Sequence, residues 1–390
     1  MKELINQYKN GLLEDVIPFW SRYSLDKVHG GYLTSLDRKG NVFDTDKYAW
    51  PIGRQVWTYS KLYNEVEKKP EWLEIAMSGA EFLVENGMDE DGKFYFSFDQ
   101  KGNALKKPSN IYSDCFAALG FSQYYKASRN AKYKTLAREV YDRIEKRWSN
   151  PKHVFNKETG FRPMDCMGKL MLDANMALEM EGVLDDEKIV SLKSKSIHKL
   201  LTHHYDETLE LFFENVAPDG SHPDTVDGRL IVPGHAVESM WMVIDLAAQT
   251  NDINTIEKAT DITIKMLSYG WDDRFGGIYY FMDWKNKPMQ WKLDWDQKLW
   301  WVHNEALIAL LKAFHHTKRA DVWFWFEKVH TYTWKYFPDP EFGEWYGYLN
   351  RRGEVLLDLK GSFKGCYHLP RSLFECWKTL EKIEHDYDKS

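Results

Sequence analysis

Long hydrophobic runs are missing from this chain of 390 residues. None approaches the roughly 18 apolar residues that a membrane-spanning helix needs, so no such span is expected. The opening stretch MKELINQYKN is polar and has no apolar h-region of the kind a secretory signal requires. Cysteine is scarce. Cys115, Cys166, Cys366 and Cys376 form no CxxC pair, which argues against a zinc ribbon and against a disulfide framework. A reducing cytoplasm is the expected compartment. Positive charge is not in excess either: 52 Lys and Arg stand against 59 Asp and Glu, a net charge of -7. That balance offers no footprint for nucleic acid, and no basic run suits a membrane surface. Also missing are the phosphate loop G-x-x-x-x-G-K-[ST], G-x-G-x-x-G, H-E-x-x-H and G-x-S-x-G. Chemistry without a metal, and without a nucleotide as reactant, is therefore expected. No Pro/Ser-rich linker or low-complexity segment interrupts the chain, so residues 1–390 are read as one domain.

Aromatic residues are plentiful, at 15% of the chain with 17 Trp, 22 Tyr and 21 Phe. Large rings dominate core burial. The Trp excess also suits a site that stacks flat, partly apolar ligands such as sugar rings; an aromatic-rich core is the plainer alternative.

One phrase recurs. It reads HGGYLTSLDRKGNVFD (29–44), DGKFYFSFDQKGNAL (91–105), ELFFENVAPDGSH (210–222), RFGGIYYFMDWKNKPMQW (274–291) and EFGEWYGYLNRRGEVLLDL (341–359), with a degenerate copy VFNKETGFRP (154–163). Aromatic or β-branched residues, then a turn, then a second short run predict a hairpin. Three copies have D/N-x-x-G, which suits a type I turn closed by a Gly at positive φ. The turn positions Gly40, Gly102, Gly160, Gly220, Asn286 and Gly353 follow at intervals of 62, 58, 60, 66 and 67 residues. Such a period marks a repeat architecture. Between hairpins lie segments with apolar residues at helical spacing, about two helices per interval. Six helix pairs, each closed by a hairpin, predict an all-α (α/α)6 barrel, a toroid with the hairpins at one rim. A linear solenoid is the competing arrangement.

In a toroid the first turn after each hairpin faces the central cavity. WPIGRQVW places Trp50 and Arg54 there, and YSDC places Tyr112. VPGHAVESMW contributes His235 and, one turn on, Glu238; LWWVHNEALIAL contributes Trp301, His303 and Glu305; GCYHLPR contributes His368 and, at i+3, Arg371. A lone His on an apolar helix is more often a bonded core residue, and His203, His204, His315, His316 and His385 are read that way. For Arg54, His235, Glu305 and His368 the equivalent depth in different repeats favours convergence. Two imidazoles, an Arg and carboxylates suit proton transfer at carbon. Imidazole has a reference pKa near ~6.5, and an enediolate oxygen needs fixed positive charge.

The stretches DKYAWPIGRQVW, PGHAVESMW, GWDDRFGGIYYF, WDQKLWWVHNEALIAL and DPEFGEWYGYLNRRGEVLLDLKGSFKGCYHLPR resemble the N-acylglucosamine 2-epimerase family, whose animal members were also described as renin-binding proteins. Cellobiose 2-epimerases are more distant relatives, with Gln where this chain has His303. The resemblance implies interconversion of N-acetylglucosamine and N-acetylmannosamine without a required cofactor. It places the essential histidines on His235 and His368, the arginine on Arg54 and the carboxylate on Glu305, with Trp301 and Arg371 at the sugar pocket. It further implies a homodimer and, in several members, ATP as an allosteric effector. Lys169 and Asp173 in MGKLMLDANMALEM depart from the family's apolar residues; facing the cavity, they would favour free mannose or glucose. Two readings of another class are an inverting glycosidase using Glu238 and Glu305, and a non-catalytic binding protein.

Overall fold

Apolar residues at helical spacing build thirteen α-helices among the residues that the computed structural model describes: 1–108, 111–149, 162–356, 360 and 363–389. The first is α1 (Lys2–Asn10), which runs through a π-helical turn at Gly11–Val16 into α2 (Ile17–Tyr23). Pro18 accounts for the wider turn. Its ring bars the carbonyl four residues back from ordinary helical bonding, and the Ile17 N–H reaches Leu12 O instead. Then follow α3 (Ala49–Glu65), α4 (Pro70–Asn86), α5 (Tyr112–Ser128), α6 (Ala131–Ser149), α7 (Met167–Glu179) and α8 (Asp186–Thr202). The series ends with α9 (Pro233–Ala248), α10 (Ile253–Gly270), α11 (Trp300–Thr317), α12 (Ala320–Tyr336) and α13 (His368–Lys389).

Burial sorts these helices into two rings. Every residue of α11 from Trp300 to Phe314 is buried, whereas α12 hides a single stripe of Val322, Phe326, Val329, Tyr332 and Thr333. A helix apolar on all sides belongs inside, and one with a stripe belongs outside. The inner ring runs α3, α5, α7, α9, α11, α13, each packed on the next. It closes where the Thr58 hydroxyl of α3 donates to Cys366 O at 2.7 Å and the rings of Trp57 and Tyr367 meet edge-on at 5.1 Å. The outer partner of α13 is α1 with its π turn, so the sixth pair joins the first helices to the last. This is an (α/α)6 barrel. Between α3 and α5 the backbones nearly touch: a Cβ on Gly53 would lie 2.5 Å from Phe116 C, so only Gly fits. No described helix is long and apolar enough to cross a membrane.

The recurrent turns have the expected backbone. Gly40, Gly102, Gly220 and Gly353 have φ of +84°, +96°, +84° and +87°, and Asn286 has +54°. The copy at 154–163, with Gly160, falls almost wholly outside the described residues. The pairing differs from self-contained hairpins. Among the described residues only the first two copies pair as two short strands across their own turn, Ser35–Leu36 with Val42–Asp44 and Ser97–Phe98 with Ala104–Lys106. The second of these also pairs backward, as do later copies, with the two residues that precede an inner helix: Lys47–Tyr48 with Ser97–Phe98, Asp165–Cys166 with Asn215–Val216, Leu230–Ile231 with Met282–Asp283, and Lys298–Leu299 with Tyr348–Leu349. The starts of α3, α7, α9 and α11 are thus pinned by the following repeat. Buried lysines reinforce the rim. The Lys47 amine donates to Asp26 (2.9 Å) and to the carbonyls of Gly30 (2.6 Å) and Gln100 (2.7 Å), while Lys298 reaches Asp272 (3.3 Å) and Lys360 reaches Asp339 (2.9 Å).

Candidate active site

At the rim where the inner helices begin, a cavity of about 270 Å³ opens between α3, α5, α7, α9, α11 and α13. Of the residues expected there, Arg54, Tyr112, His235, Glu238, Trp301 and His368 line it. Histidines from two repeats do meet: the ring of Trp301 stands 5.0 Å from His235 and 5.7 Å from His368, between centroids. His235 reaches this place because α9 begins with Pro233, whose missing N–H costs nothing at a helix start, and Gly234. A Cβ on Gly234 would strike the Trp301 ring at 2.7 Å.

Each imidazole is held by a carboxylate. His368 Nδ1 lies 2.7 Å from Glu305 Oε1, and His235 Nδ1 lies 3.0 Å from Glu214 Oε2. A carboxylate only accepts, so both Nδ1 atoms carry hydrogen and both Nε2 atoms are left for a ligand. The charge around the two rings differs. Glu305 is fully buried; its Oε1 also accepts from Arg371 Nη2 at 2.7 Å, and its Oε2 from Trp241 Nε1 at 2.8 Å. The same Arg371 nitrogen donates to Glu238 at 2.5 Å, and Nη1 donates to the Tyr367 hydroxyl at 3.1 Å. With Glu305 already balanced by Arg371, burial and the nearby Arg54 charge push the His368 pKa well below the usual imidazole value. His235 is half-buried, and the Glu214 carboxylate outweighs the loss of solvation and raises its pKa.

Arg54 stacks among three rings, its Cζ 4.6 Å from Trp50, 4.1 Å from Phe116 and 4.8 Å from Tyr367. Its Nε has no hydrogen-bond partner. Burial lowers its pKa to about 10, so it remains a cation at neutral pH. A fixed positive charge without a carboxylate against it can serve charge that develops on a ligand.

Glu305 and Arg371 form the floor beneath the cavity, and Trp50 backs Arg54 while stacking on Phe363 at 5.7 Å. His303 goes elsewhere. It is fully buried, its Nδ1 donating to Leu299 O (2.7 Å) and its Nε2 accepting from the Ile278 N–H (3.0 Å). With both nitrogens committed to tying a hairpin to α11, it does not serve as a sugar ligand. Lys169 and Asp173 pair with each other at 2.7 Å; Lys169 lines a neighbouring side cavity of about 500 Å³, and neither lines the one that holds the histidines. The glycosidase spacing is not met. Donor atoms of Glu238, Glu305 and His368 lie within 4.8 Å of one another, and one guanidinium nitrogen bridges the two carboxylates. Inverting hydrolysis needs about 6.5–9.5 Å and a water between. A cation would suit such a cluster; here Arg371 supplies it. His203 and His204 are engaged by Asp165 and the Phe213 carbonyl, as core-type histidines are.

Sequence reasoning passed over Glu214, Phe116, Met171, Asn175, Met242 and Tyr367, which also line the cavity. Only Tyr367 adjoins a residue singled out for chemistry. Glu214 lies within a quoted repeat, FFENV, where its turn signal masked its charge.

The N-acylglucosamine 2-epimerase (GlcNAc 2-epimerase) family model matches residues 31–372. The N-acylglucosamine 2-epimerase of Mus musculus is 34% identical over 94% of this chain and 90% of its own, and that of Homo sapiens 33% over 94% and 88%. The structure of cellobiose 2-epimerase from Bacillus thermoamylovorans superposes with a TM-score of 0.80 over 97% of this chain and all of that one, at 22% identity. Sequence, barrel and site thus agree that the chain belongs to the N-acylglucosamine 2-epimerase family, a family of carbohydrate isomerases.

Proposed function

We propose that this protein interconverts N-acetyl-D-glucosamine and N-acetyl-D-mannosamine, with residues 1–390 acting as one catalytic domain. The observation that carries the reading is the pair of imidazoles flanking Trp301 in one cavity, each held by a carboxylate at Nδ1, with the pKa of His368 pushed down and that of His235 raised. After the sugar ring opens, neutral His368 takes the proton from C2 and the electron pair moves into the C1 carbonyl. Arg54 faces the resulting enolate oxygen on C1. His235 then delivers its proton to the opposite face of C2, which inverts that carbon. A proton leaves and a proton returns, so the step itself consumes no oxidant, metal or nucleotide.

The N-acetyl preference is supported by Phe116, Met171, Leu172 and Met242, an apolar arc in the cavity suited to an acetamido methyl. It is supported too by the Lys169–Asp173 pair, neither member of which lines that cavity. Incubation in D2O with N-acetylmannosamine is expected to place deuterium at C2 and to yield N-acetylglucosamine, followed by proton NMR. His235→Ala and His368→Ala should each lower that exchange by about 10²–10⁴-fold, with circular dichroism unchanged. Exchange at the wild-type rate in either variant removes the two-base scheme, and exchange with mannose alone moves the substrate to the free sugars.

A further inference from the structure

The two imidazoles are not equivalent, and the difference lies in their carboxylates. Glu305 shares one oxygen between His368 and Arg371, and Arg371 also holds Glu238. Two carboxylates there face the guanidinium of Arg371 and, across the cavity, that of Arg54. Glu214 has no such cation bonded to it. Its Oε2 meets His235, and its Oε1 has the Cys166 thiol at 3.9 Å. Lys292, whose charge acts on it, has its amine 4.3 Å over the Phe281 ring. The Glu214 backbone is clamped at both ends. Its N–H donates to Leu230 O at 3.2 Å, and its carbonyl accepts from the Met167 N–H at 2.9 Å. The backbone that carries the carboxylate is therefore pinned to the residues that start α9 and α7.

We infer that Glu214 is a positioning residue: it fixes the His235 ring and makes it the proton-bearing member of the pair, so the resting enzyme removes a proton with His368 and delivers one from His235. This rests on the two-base reading above. The groups that face His235 are Glu214 ahead of α7's partner strand, Glu238 of α9, Lys292 of the segment after Asn286, and His368 of α13. Glu238 and Glu214 favour the charged ring, while Lys292 and burial oppose it. The balance of protons has a consequence. One turnover in this direction leaves His368 protonated and His235 neutral. The enzyme that releases product is thus the swapped form, and a proton must pass from His368 to water and from water to His235 before the next cycle.

The test compares wild type, Glu214→Gln and Glu214→Asp with N-acetylmannosamine across pH. Loss of the carboxylate removes what holds the proton on His235. The alkaline limb of kcat/KM should then move to lower pH by about one unit in Glu214→Gln, and kcat should fall about tenfold or more while KM holds within about twofold. Glu214→Asp should recover part of the limb. A limb that stays put in Glu214→Gln, or an activity equal to wild type, overturns the inference. A second readout needs no turnover: the ¹⁵N shifts of the His235 ring, assigned with His235→Gln, should titrate at lower pH in Glu214→Gln. If the wild type exchanges no sugar proton, the two-base reading falls; an unshifted ring titration would overturn the role of Glu214 by itself.

Discussion

The neighbours of each histidine ring decide its fate in this molecule. His303 has both nitrogens bonded to backbone, and burial pulls its pKa down to about 3. His368 and His235 keep one nitrogen for a ligand. The contrast yields a prediction. His303→Ala leaves a buried N–H and a buried carbonyl without partners and should destabilise the protein by about 1–3 kcal/mol per orphaned group, read from urea unfolding, with KM for the sugar unchanged. A raised KM at full stability would return His303 to the site. At this scale the sequence was legible where polar residues stood within one turn of each other on a helix, as His235 with Glu238 and His368 with Arg371 do. It was opaque for Glu214, which is 21 residues from His235 and joined to it only by strand pairing. His303 misled because it stands two residues before Glu305, which on α11 sets the two side chains about 200° apart and turns His303 to the hairpin.

Between elements, distance of approach is the controlling quantity. The inner helices α3 and α5 meet where Gly53 lies against Phe116 and Ala117, and Gly120 in turn lies against Gly53 O. Side chains added here would push apart the helix that carries Arg54 and the one that carries Phe116. Gly53→Val is expected to cost about 1–3 kcal/mol or more as overpacking, and to lower kcat because the Arg54 guanidinium shifts with α3. Thermal unfolding and steady-state kinetics measured together check this, and a neutral result would show that the two helices slide freely. The helix pairs could be read from apolar spacing, since 3.6-residue periodicity survives in any one segment. Strand partners could not. A two-residue strand such as Leu230–Ile231 has no pattern of its own, and its mate Met282–Asp283 lies in the next repeat.

For the molecule as a whole, several imidazoles are kept neutral in the interior. Burial lowers the pKa of His204 to about 4, of His303 to about 3 and of His330 to about 4. In the unfolded chain each would titrate near ~6.5. Between those values the unfolded state binds more protons than the native one, so stability rises with pH there. It is complete above pH ~6.5 and is lost as the pH falls from there towards 4 and 3. Urea midpoints measured from pH 7 down to 4.5 should decline steadily, and a flat profile would mean that these rings are not neutral when folded. The toroid itself was legible because its period spans the sequence. Its point of closure was not, since nothing local tells that α1 packs on α13 rather than ending an open stack.

That closure bears on how the enzyme comes into being. A ribosome makes α1 first and α13 only after α12, so the nascent polypeptide must wait as an open crescent with the first helix's apolar face uncovered. His368 and Arg371 belong to the segment that arrives to seal it. On the proposed mechanism, catalytic competence and circular completion therefore happen in one event, and a stalled translation product lacking α13 would be both inert and a client for chaperones.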